Sequence, residues 1–376
     1  MRRGGLAVPL VIDVLVIGGG VIGCGIARAL AALGAAVALI DPRSVGDGAS
    51  RASAGMLAPF SEGRHDAALQ ALGARSLSRY SALVHALAEE GLGVPYSRVG
   101  SIDVAFDADG ATVLDEVAAC LTRDRIAYER LDRSTLRALE PAVTTAAVAG
   151  LKIPAHCAVD VPALVSALWR SAASRGARLI QTRAHRISPT GSGVRVETGE
   201  GAFEASRVVL AAGCWAGQVE IDGVALLPVQ PVRGQLLALR TESAILDHTL
   251  WSPGCYVVPW DDGTILVGAT VEHVGFDERA TAAGVSQLLQ AATLLLPPVA
   301  NAAFVEVRVG LRPGTPDDLP IVGKSQRVDG LIYATGHYRN GALLMPLTAQ
   351  AVAELVGGTP LDPIWAPCDP QRFGSY

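Results

Sequence analysis

One stretch of the chain, residues 14–41, constrains the fold more than any other. It begins with an apolar run, which is broken by the glycine-rich segment GGGVIG at residues 18–23. An alanine- and leucine-rich segment follows, and a second apolar run ends on Asp41. This order predicts a strand, a tight turn, a helix and a second strand, with an acid about 20 residues beyond the turn, which is the pattern of a dinucleotide-binding unit.

The glycines and the acid each have a physical role in such a unit. Gly18 can adopt the unusual backbone angles of the turn, whereas Gly20 lacks a Cβ and lets a pyrophosphate approach the backbone. Gly23 lets the helix pack closely on the strand. The helix N-terminus offers unpaired N–H groups to the phosphates, and Asp41 would accept hydrogen bonds from the ribose. The alternatives are a buried unit whose glycines only serve packing, or a transmembrane helix, which three consecutive glycines disfavour.

Length and composition restrict the organisation and the partners of the chain. With 376 residues it is too long for one ordinary core, so we expect two domains. A formal net charge of −5 gives no support for a nucleic-acid partner. The six cysteines are scattered without a CxxC motif, which fits a reduced cytoplasm and argues against a disulfide framework or a metal site. Arg2-Arg3 faintly resembles the start of a signal peptide, but the apolar run after it serves better as the first strand.

Nucleotide-binding signals alternate with β-rich segments, which predicts an α/β (mixed α+β) fold with two interleaved domains. A Rossmann-type domain would comprise residues 10–90, 151–227 and 309–360. A second domain would comprise residues 91–150 and 228–308 and would be built on a sheet that covers a ligand cavity. Residues 361–376 would form a C-terminal tail.

Hydrophobic periodicity predicts further elements close to the expected site. We expect one helix over residues 69–90 and another over residues 346–355. Residues 178–187 and 304–309 read as strands. Arg312 would then lie in a loop just after the second of these strands, as a ligand-binding residue often does.

Five stretches of the sequence resemble the D-amino-acid oxidase family of flavoproteins, and within it the branch that oxidises glycine. They are VIGGGVIG at residues 16–23, GASRASAGMLAP at 48–59, CYVVPWDDGTILVGAT at 255–270, GLRPGTPDDLPIVG at 310–323 and ATGHYRNGALLMP at 334–346. These stretches follow the order of the family across nearly the whole chain.

The resemblance implies a fold and a reaction. It implies an FAD-binding domain and a substrate domain with a large, mostly antiparallel sheet. A small amine or amino acid, such as glycine, sarcosine or a small D-amino acid, would lose a hydride to the flavin, and O2 would reoxidise the flavin to give H2O2. In thiamine synthesis the imine formed from glycine feeds the thiazole ring. The resemblance also implies a cytoplasmic homotetramer without a membrane partner.

The resemblance assigns the cofactor contacts residue by residue. They are Gly18, Gly20, Val21, Ile22 and Gly23 at the pyrophosphate turn; Asp41 and Pro42 by the ribose; Ala49, Ser50, Ala54, Gly55 and Met56 along the phosphates and ribityl chain; Ala184 at the adenine; and Gly336, His337, Tyr338, Arg339, Asn340, Gly341, Ala342 and Leu343 around the flavin. The family often has Glu where this chain has Asp41. Related monomeric sarcosine oxidases attach their flavin to a cysteine in the C-terminal part. Here only Cys368 follows Cys255, so we expect non-covalent FAD.

Three residues are candidates for binding the substrate. Arg312 can hold a carboxylate through its planar fork, and the Tyr256 hydroxyl can donate to the same carboxylate. Arg339 would contact substrate or cover the site. Each has a plainer alternative, namely a surface arginine, a core tyrosine and an arginine paired with an acid. No general base is assigned, because His337 falls in the cofactor loop and direct hydride transfer from a neutral amine needs none.

One other feature bears on the chemistry. The helix that begins near Pro346 would direct its positive end at the flavin N1–C2=O and stabilise negative charge there.

Three alternative functions remain open: a D-amino-acid dehydrogenase that passes electrons to a quinone, a flavin-binding subunit without turnover, and a tRNA-modifying domain of the same fold. The sequence shows no membrane-binding amphipathic stretch and no net basic charge that would favour the first or the last.

Overall fold

The computed structural model describes residues 12–62 and 66–376. The signal-peptide resemblance at Arg2-Arg3 and the predicted domain start at residue 10 lie outside these ranges. Within them the strands are β1 (Val14–Ile17), β2 (Val37–Ile40), β3 (Met56–Leu57), β4 (Tyr96–Ser97), β5 (Ser101–Ala105), β6 (Glu129–Asp132), β7 (Ala149–Ile153), β8 (Cys157–Val159), β9 (Arg178–Ile180), β10 (Ala184–Pro189), β11 (Val194–Thr198), β12 (Gly201–Ala205), β13 (Arg207–Leu210), β14 (Glu220–Ile221), β15 (Gln230–Arg240), β16 (Thr249–Trp251), β17 (Tyr256–Pro259), β18 (Thr264–Gly268), β19 (Ala303–Gly314), β20 (Ile321–Lys324) and β21 (Leu331–Thr335). The α-helices there are α1 (Val21–Ala32), α2 (Pro59–Glu62), α3 (Ala67–Leu77), α4 (Tyr80–Glu89), α5 (Ala108–Arg123), α6 (Arg133–Leu139), α7 (Val161–Ser174), α8 (Ala282–Leu295) and α9 (Gly341–Val356), with 3-10 helices at Gly213–Gln218, Pro297–Asn301, Pro363–Cys368 and Pro370–Phe373.

A six-stranded sheet in the order β20-β21-β13-β1-β2-β9 forms the nucleotide-binding half of the molecule. Its strands pair in parallel except β20, which is antiparallel to β21. Val14 and Val16 of β1 pack with α1, α7 and α9 on one face. Leu15 and Ile17 face a four-stranded sheet, β12-β11-β10-β14, on the other. Because both faces are covered, β1 and β2 are apolar throughout, as buried parallel strands usually are.

An eight-stranded sheet in the order β19-β15-β18-β17-β16-β5-β7-β6 forms the other half. Its strands are antiparallel except for the parallel pair β16 and β5. The long strands β15 and β19 pair along almost their whole length, and α8 packs with β15 and β18 in a buried cluster on one face. The predicted fold class, a Rossmann-type half combined with a large, mostly antiparallel sheet, is confirmed.

The predicted helix over residues 69–90 is wrong in one respect, because the structure divides it into α3 and α4. The Asp66 side chain caps α3 by accepting from the Leu69 N–H at 2.9 Å. At the break, the Ser78 hydroxyl and the Arg79 guanidinium both donate to the carbonyl of Arg75, at 2.8 and 2.6 Å. Side chains that bond to helix carbonyls in this way offer the backbone an alternative to continuing the helix.

The predicted strand over residues 178–187 also divides, into β9 and β10, which belong to different sheets. The domain limits remain a prediction. The limit at residue 309 falls inside β19, and the expected tail of residues 361–376 packs onto the body of the protein. Trp365 and Cys368 are fully buried there, in a cluster with Val322 and Leu344.

Helix α9 begins at Gly341, five residues before the predicted start at Pro346. The prediction placed this proline in the first turn, where a missing N–H is harmless. In the structure Pro346 lies inside the helix, where it cannot donate to the carbonyl of Ala342. Two side chains compensate: the Tyr80 hydroxyl donates to the Ala342 carbonyl, and the Ser76 hydroxyl oxygen accepts from the Leu347 N–H at 3.3 Å.

Candidate functional site

In the glycine turn between β1 and α1, close packing leaves no room for a side chain at Gly18 or Gly23, whereas Gly20 faces open space. Gly18 has φ +113°, and a Cβ there would lie 2.3 Å from the Ala211 carbonyl oxygen. A Cβ on Gly23 would lie 1.8 Å from the carbonyl oxygen of Gly18. Gly20 has φ −77°, and a Cβ there would meet only the Ser50 hydroxyl oxygen, at 3.2 Å. A Cβ at Gly20 would therefore require only the Ser50 hydroxyl to shift, because Gly20 otherwise faces open space at the start of α1.

Two side chains order the backbone of this turn. Asp41, at the end of β2, accepts hydrogen bonds from the Gly19 N–H at 2.7 Å and from the Arg43 N–H at 2.8 Å. The Ser50 hydroxyl oxygen accepts from the Val21 N–H at 2.9 Å. No acidic residue lies in the first turn of α1. The turn thus presents the positive end of a helix, which suits a pyrophosphate.

A cavity of about 600 Å³ extends from this turn to the large sheet. Most of the predicted cofactor residues line it: Gly18, Gly20, Val21, Ile22, Asp41, Pro42, Ala49, Ser50, Ala54, Gly55, Met56, Ala184, His337, Tyr338, Arg339, Gly341 and Ala342. The other four, Gly23, Gly336, Asn340 and Leu343, do not line the cavity. Gly23 packs against the turn and Leu343 lies in the hydrophobic core. The predicted contacts of these four residues with the cofactor stay a prediction.

Arg43 and Trp215, which are not among the predicted site residues, line the end of the cavity near Asp41. The Arg43 guanidinium lies 4.4 Å from the centre of the Trp215 ring and forms an ion pair with Glu278 at 2.6 Å. The Phe276 ring lies 6.1 Å from that of Trp215. One signal could have identified Trp215: it closely follows β13, and ligands bind beyond the carboxyl ends of parallel strands.

Arg312 lines the opposite end of the cavity, but it lies inside β19, opposite Val232, and not in the predicted loop. Its Nη1 donates to the carbonyls of Thr270 and Arg233, at 3.0 and 3.4 Å. The guanidinium also covers Gly234, where a Cβ would lie 2.4 Å from Nη2. Within residues 12–62 and 66–376, no carboxylate forms an ion pair with Arg312. Neutral carbonyls therefore fix this cation in place without neutralising its charge.

A buried polar network holds the carbonyls that fix Arg312. Arg233 is 3% exposed and forms ion pairs with Glu272 at 2.6 Å and Asp277 at 3.0 Å. Gln235 donates to Glu272 at 2.8 Å. Burial raises the pKa of Glu272, but hydrogen bonds from Arg233, Thr270 and Gln235 outweigh it and lower that pKa to about 2. Glu272 is thus a carboxylate at neutral pH and anchors the segment after β18 to β15.

Tyr256 enters the same end of the cavity from β17. It lies opposite Gly268 of β18, and a Cβ on that glycine would lie 2.3 Å from the tyrosine hydroxyl oxygen. The Trp251 ring packs against the Tyr256 ring, with centroids 5.7 Å apart. Neighbouring strands therefore fix Tyr256 in one place. Strands β17 and β19 belong to the same sheet, and Tyr256 and Arg312 both line the cavity.

The segment before α9 completes the site. Arg339 is exposed, and its guanidinium lies 5.3 Å from the centre of the Tyr338 ring. His337 is 2% exposed, and its Nε2 lies 3.0 Å from the Thr348 hydroxyl oxygen. Its Nδ1 has no partner in the part of the chain that the structure describes. Burial lowers the pKa of His337 to about 3, so the ring is neutral and its Nδ1 is suited to a neutral hydrogen bond with a ligand.

A family profile described as FAD dependent oxidoreductase (DAO) matches residues 13–355. The chain belongs to this family. FAD is thus the cofactor of this oxidoreductase, as predicted. The cavity fits this group on two observations: the open space where Gly20 lacks a Cβ, and the buried Nδ1 of His337 that has no protein partner among the described residues.

The similar proteins agree with this assignment. A glycine oxidase of Geobacillus kaustophilus (strain HTA426) is 36% identical over 348 residues, which cover 92% of each chain. The bifunctional protein ThiO/ThiG of Nostoc sp. is 36% identical over 362 residues, which cover 94% of this chain and 54% of that protein. The oxidoreductase therefore spans about half the length of that relative. The crystal structure of glycine oxidase from Geobacillus kaustophilus matches with a TM-score of 0.91 and 35% identity, and covers 96% of this chain and 98% of that one.

Two further findings concern metals and membranes. Across the described residues, no cluster of three or more His, Cys, Asp or Glu side chains could hold a metal ion. None of the helices that the structure describes is long and apolar enough to cross a bilayer.

Proposed function

We propose that this oxidoreductase removes a hydride from glycine and other small amines or amino acids, such as sarcosine and small D-amino acids, and uses O2 as the electron acceptor. The observation that carries the proposal is Arg312, a fixed cation without a carboxylate partner among the described residues, in the cavity that fits FAD. A substrate carboxylate would complete its coordination. The named glycine oxidases among the similar proteins support the same substrate class.

Three side chains would bind the substrate. Arg312 would hold the carboxylate through charge-assisted hydrogen bonds, which are stronger than neutral ones. The Tyr256 hydroxyl, held against Gly268, would donate to the same carboxylate. Arg339, at the exposed side of the cavity, would contact the substrate or cover it. Together they would turn the Cα–H bond of the substrate toward the cofactor.

The residues proposed to hold FAD are those of the glycine turn, Asp41 and the segment before α9. When bound, FAD supplies the hydride acceptor and passes the electrons to O2, which gives H2O2. The N-terminus of α9 would stabilise negative charge on the reduced cofactor. His337 would serve as a hydrogen-bonding partner and not as a base, because a group whose pKa is about 3 removes a proton poorly near neutral pH.

We propose that FAD is held without a covalent bond. Two cysteines line the cavity, Cys214 and Cys255. Burial raises the pKa of the Cys214 thiol to about 12 and that of the Cys255 thiol to about 11. Thiols in this state are poor nucleophiles. Cys368, the cysteine in the C-terminal part of the chain, is packed in a hydrophobic cluster away from the cavity.

The cellular role is proposed from the family resemblance. The imine formed from glycine would feed the thiazole ring of thiamine, in a cytoplasmic homo-oligomer, by resemblance a tetramer. Neither a nucleic acid nor a membrane is a proposed partner.

A peroxide assay on the purified holoenzyme tests this proposal. Glycine, sarcosine, D-alanine and D-proline are supplied separately under air, and H2O2 is measured. We expect peroxide with glycine and with at least one of the other three. Flavin reduction by these substrates without peroxide, followed by turnover when a quinone is added, would replace the oxidase by the dehydrogenase. Absence of flavin reduction by any of them would leave a flavin-binding subunit.

A further inference from the structure

Helix α9 lacks one backbone hydrogen bond, and a side chain that does not line the cavity donates in its place. Pro346 is the sixth residue of this helix and has no N–H to donate to the carbonyl four residues earlier. That carbonyl belongs to Ala342, which lines the cavity. The Tyr80 hydroxyl, at the start of α4, donates to it instead. We propose that Tyr80 positions the first turn of α9 against the flavin and thereby raises the reduction potential of bound FAD. The inference rests on the proposed seating of FAD beside this turn.

The surroundings of Tyr80 allow this role. Its side chain is fully buried, and its ring stacks on that of Tyr96 with centroids 6.1 Å apart. Burial, with a smaller contribution from Tyr96, raises the pKa of Tyr80 well above its usual range. The phenol therefore stays protonated at all ordinary pH values and can only donate to a carbonyl. Its position is set by packing and not by the cofactor.

Packing and one further hydrogen bond hold the helix next to this turn. Behind it the helix packs tightly on its neighbours, since a Cβ on Gly25 of α1 would lie 2.4 Å from the sulfur of Met345. The Ser76 hydroxyl holds the backbone one residue beyond the proline, at Leu347. Tyr80 thus donates the hydrogen bond to the carbonyl of the cavity-lining turn.

The bond has a consequence for negative charge in the cavity. The Ala342 carbonyl shares its peptide unit with the Leu343 N–H. Leu343 itself does not line the cavity, but its N–H is one of the groups at the start of α9 that have no partner inside the helix and make this end positive. A donor on the carbonyl polarises the N–H of the same peptide, since hydrogen bonds in a chain strengthen one another. The positive end of α9 is therefore stronger and better placed with Tyr80 than without it. Reduced flavin, which is negatively charged, gains more from this than oxidised flavin.

Tyr80→Phe tests the proposal, because it removes one hydroxyl and leaves the ring. The measurements are the dissociation constant of FAD, from reconstitution of apoprotein, and the reduction potential of bound FAD, neither of which needs a substrate. We expect reduced FAD to be weakened about three- to tenfold more than oxidised FAD, which lowers the potential by about 15–30 mV for a two-electron couple. Tyr96→Phe is the matched control, because its hydroxyl bonds to the Cys157 sulfur and not to α9. Its potential should stay at the wild-type value.

A rescue variant separates positioning from general stability. Pro346→Ala restores an N–H that can donate to the Ala342 carbonyl, so Tyr80→Phe combined with Pro346→Ala should regain the wild-type potential. This double variant also decides the matter if Tyr80→Phe alone does not fold. A folded Tyr80→Phe enzyme with an unchanged potential overturns the inference, as does a double variant whose potential stays low. Failure of the wild-type protein to bind FAD would instead refute the seating on which the inference rests.

Discussion

Replacing Arg312 by alanine should remove most of the catalytic efficiency with glycine and leave the cofactor in place. The guanidinium has two neutral carbonyl partners and no ion pair within the described residues. A substrate carboxylate would therefore be its principal charged partner. Hydrogen bonds to charged groups contribute roughly 1.5–3 kcal/mol. At about 1.4 kcal/mol per factor of ten, kcat/KM should fall about 10- to 100-fold or more.

The assay is steady-state peroxide production, measured together with FAD content for each variant. Arg312→Lys should restore only part of the loss, because an ammonium lacks the planar fork that binds a carboxylate in two places. An amine without a carboxylate should lose little or no activity. Arg308→Ala provides a matched control, since Arg308 is on the same strand and pairs with Glu306 at 2.8 Å but does not line the cavity. Its kcat/KM should stay close to that of the wild type.

Two results would refute this reasoning. Unchanged kcat/KM for glycine in Arg312→Ala would show that Arg312 does not anchor the substrate. Loss of FAD from this variant would give Arg312 a structural role and leave Tyr256 and Arg339 to explain carboxylate binding.

Three further predictions follow from the structure. Gly20→Val should give a folded protein that lacks FAD, whereas Gly23→Ala should destabilise the fold, because the added Cβ would lie 1.8 Å from a carbonyl oxygen. Circular dichroism and FAD content, measured on both variants, distinguish these two effects. Normal FAD content in Gly20→Val would refute the phosphate site. Acid precipitation should release FAD into solution, and colour retained in the pellet would contradict non-covalent binding. Burial lowers the pKa of His156 from 6.5 to about 3, because the folded protein disfavours the charged ring. The contribution of the neutral ring to folding stability is therefore complete above pH 6.5 and is lost as the pH falls toward 3. Between pH 7 and 5 it should account for about 2 kcal/mol of lost unfolding free energy, and His156→Gln should show a correspondingly smaller loss in urea unfolding.

The sequence predicted those parts of the site whose chemistry is local. The glycine turn and Asp41 lie within one βαβ unit, so spacing alone places them together. Tyr256 and Arg312 could be named because they stand in motifs. The strand pairing that brings them into one cavity joins residues far apart in the chain, and the sequence does not specify it.

The errors have physical causes of the same kind. The local sequence favours Pro346 as the start of a helix, because nothing in it shows that Tyr80 supplies the missing donor. A strand that ends at residue 309 puts Arg312 in a loop, but β19 continues to Gly314 by pairing with β15. In each case a distant partner outweighed the local signal.

Anaerobic mixing of the holoenzyme with glycine tests the central claim most directly. The bound flavin should lose its oxidised absorption band in a single phase, and glycine deuterated at Cα should reduce it measurably more slowly, because the transferred hydride comes from that carbon. Admission of O2 should then restore the oxidised band and give one H2O2 per flavin. A flavin that stays oxidised in excess glycine would contradict the assignment of this cavity to an amino-acid oxidase.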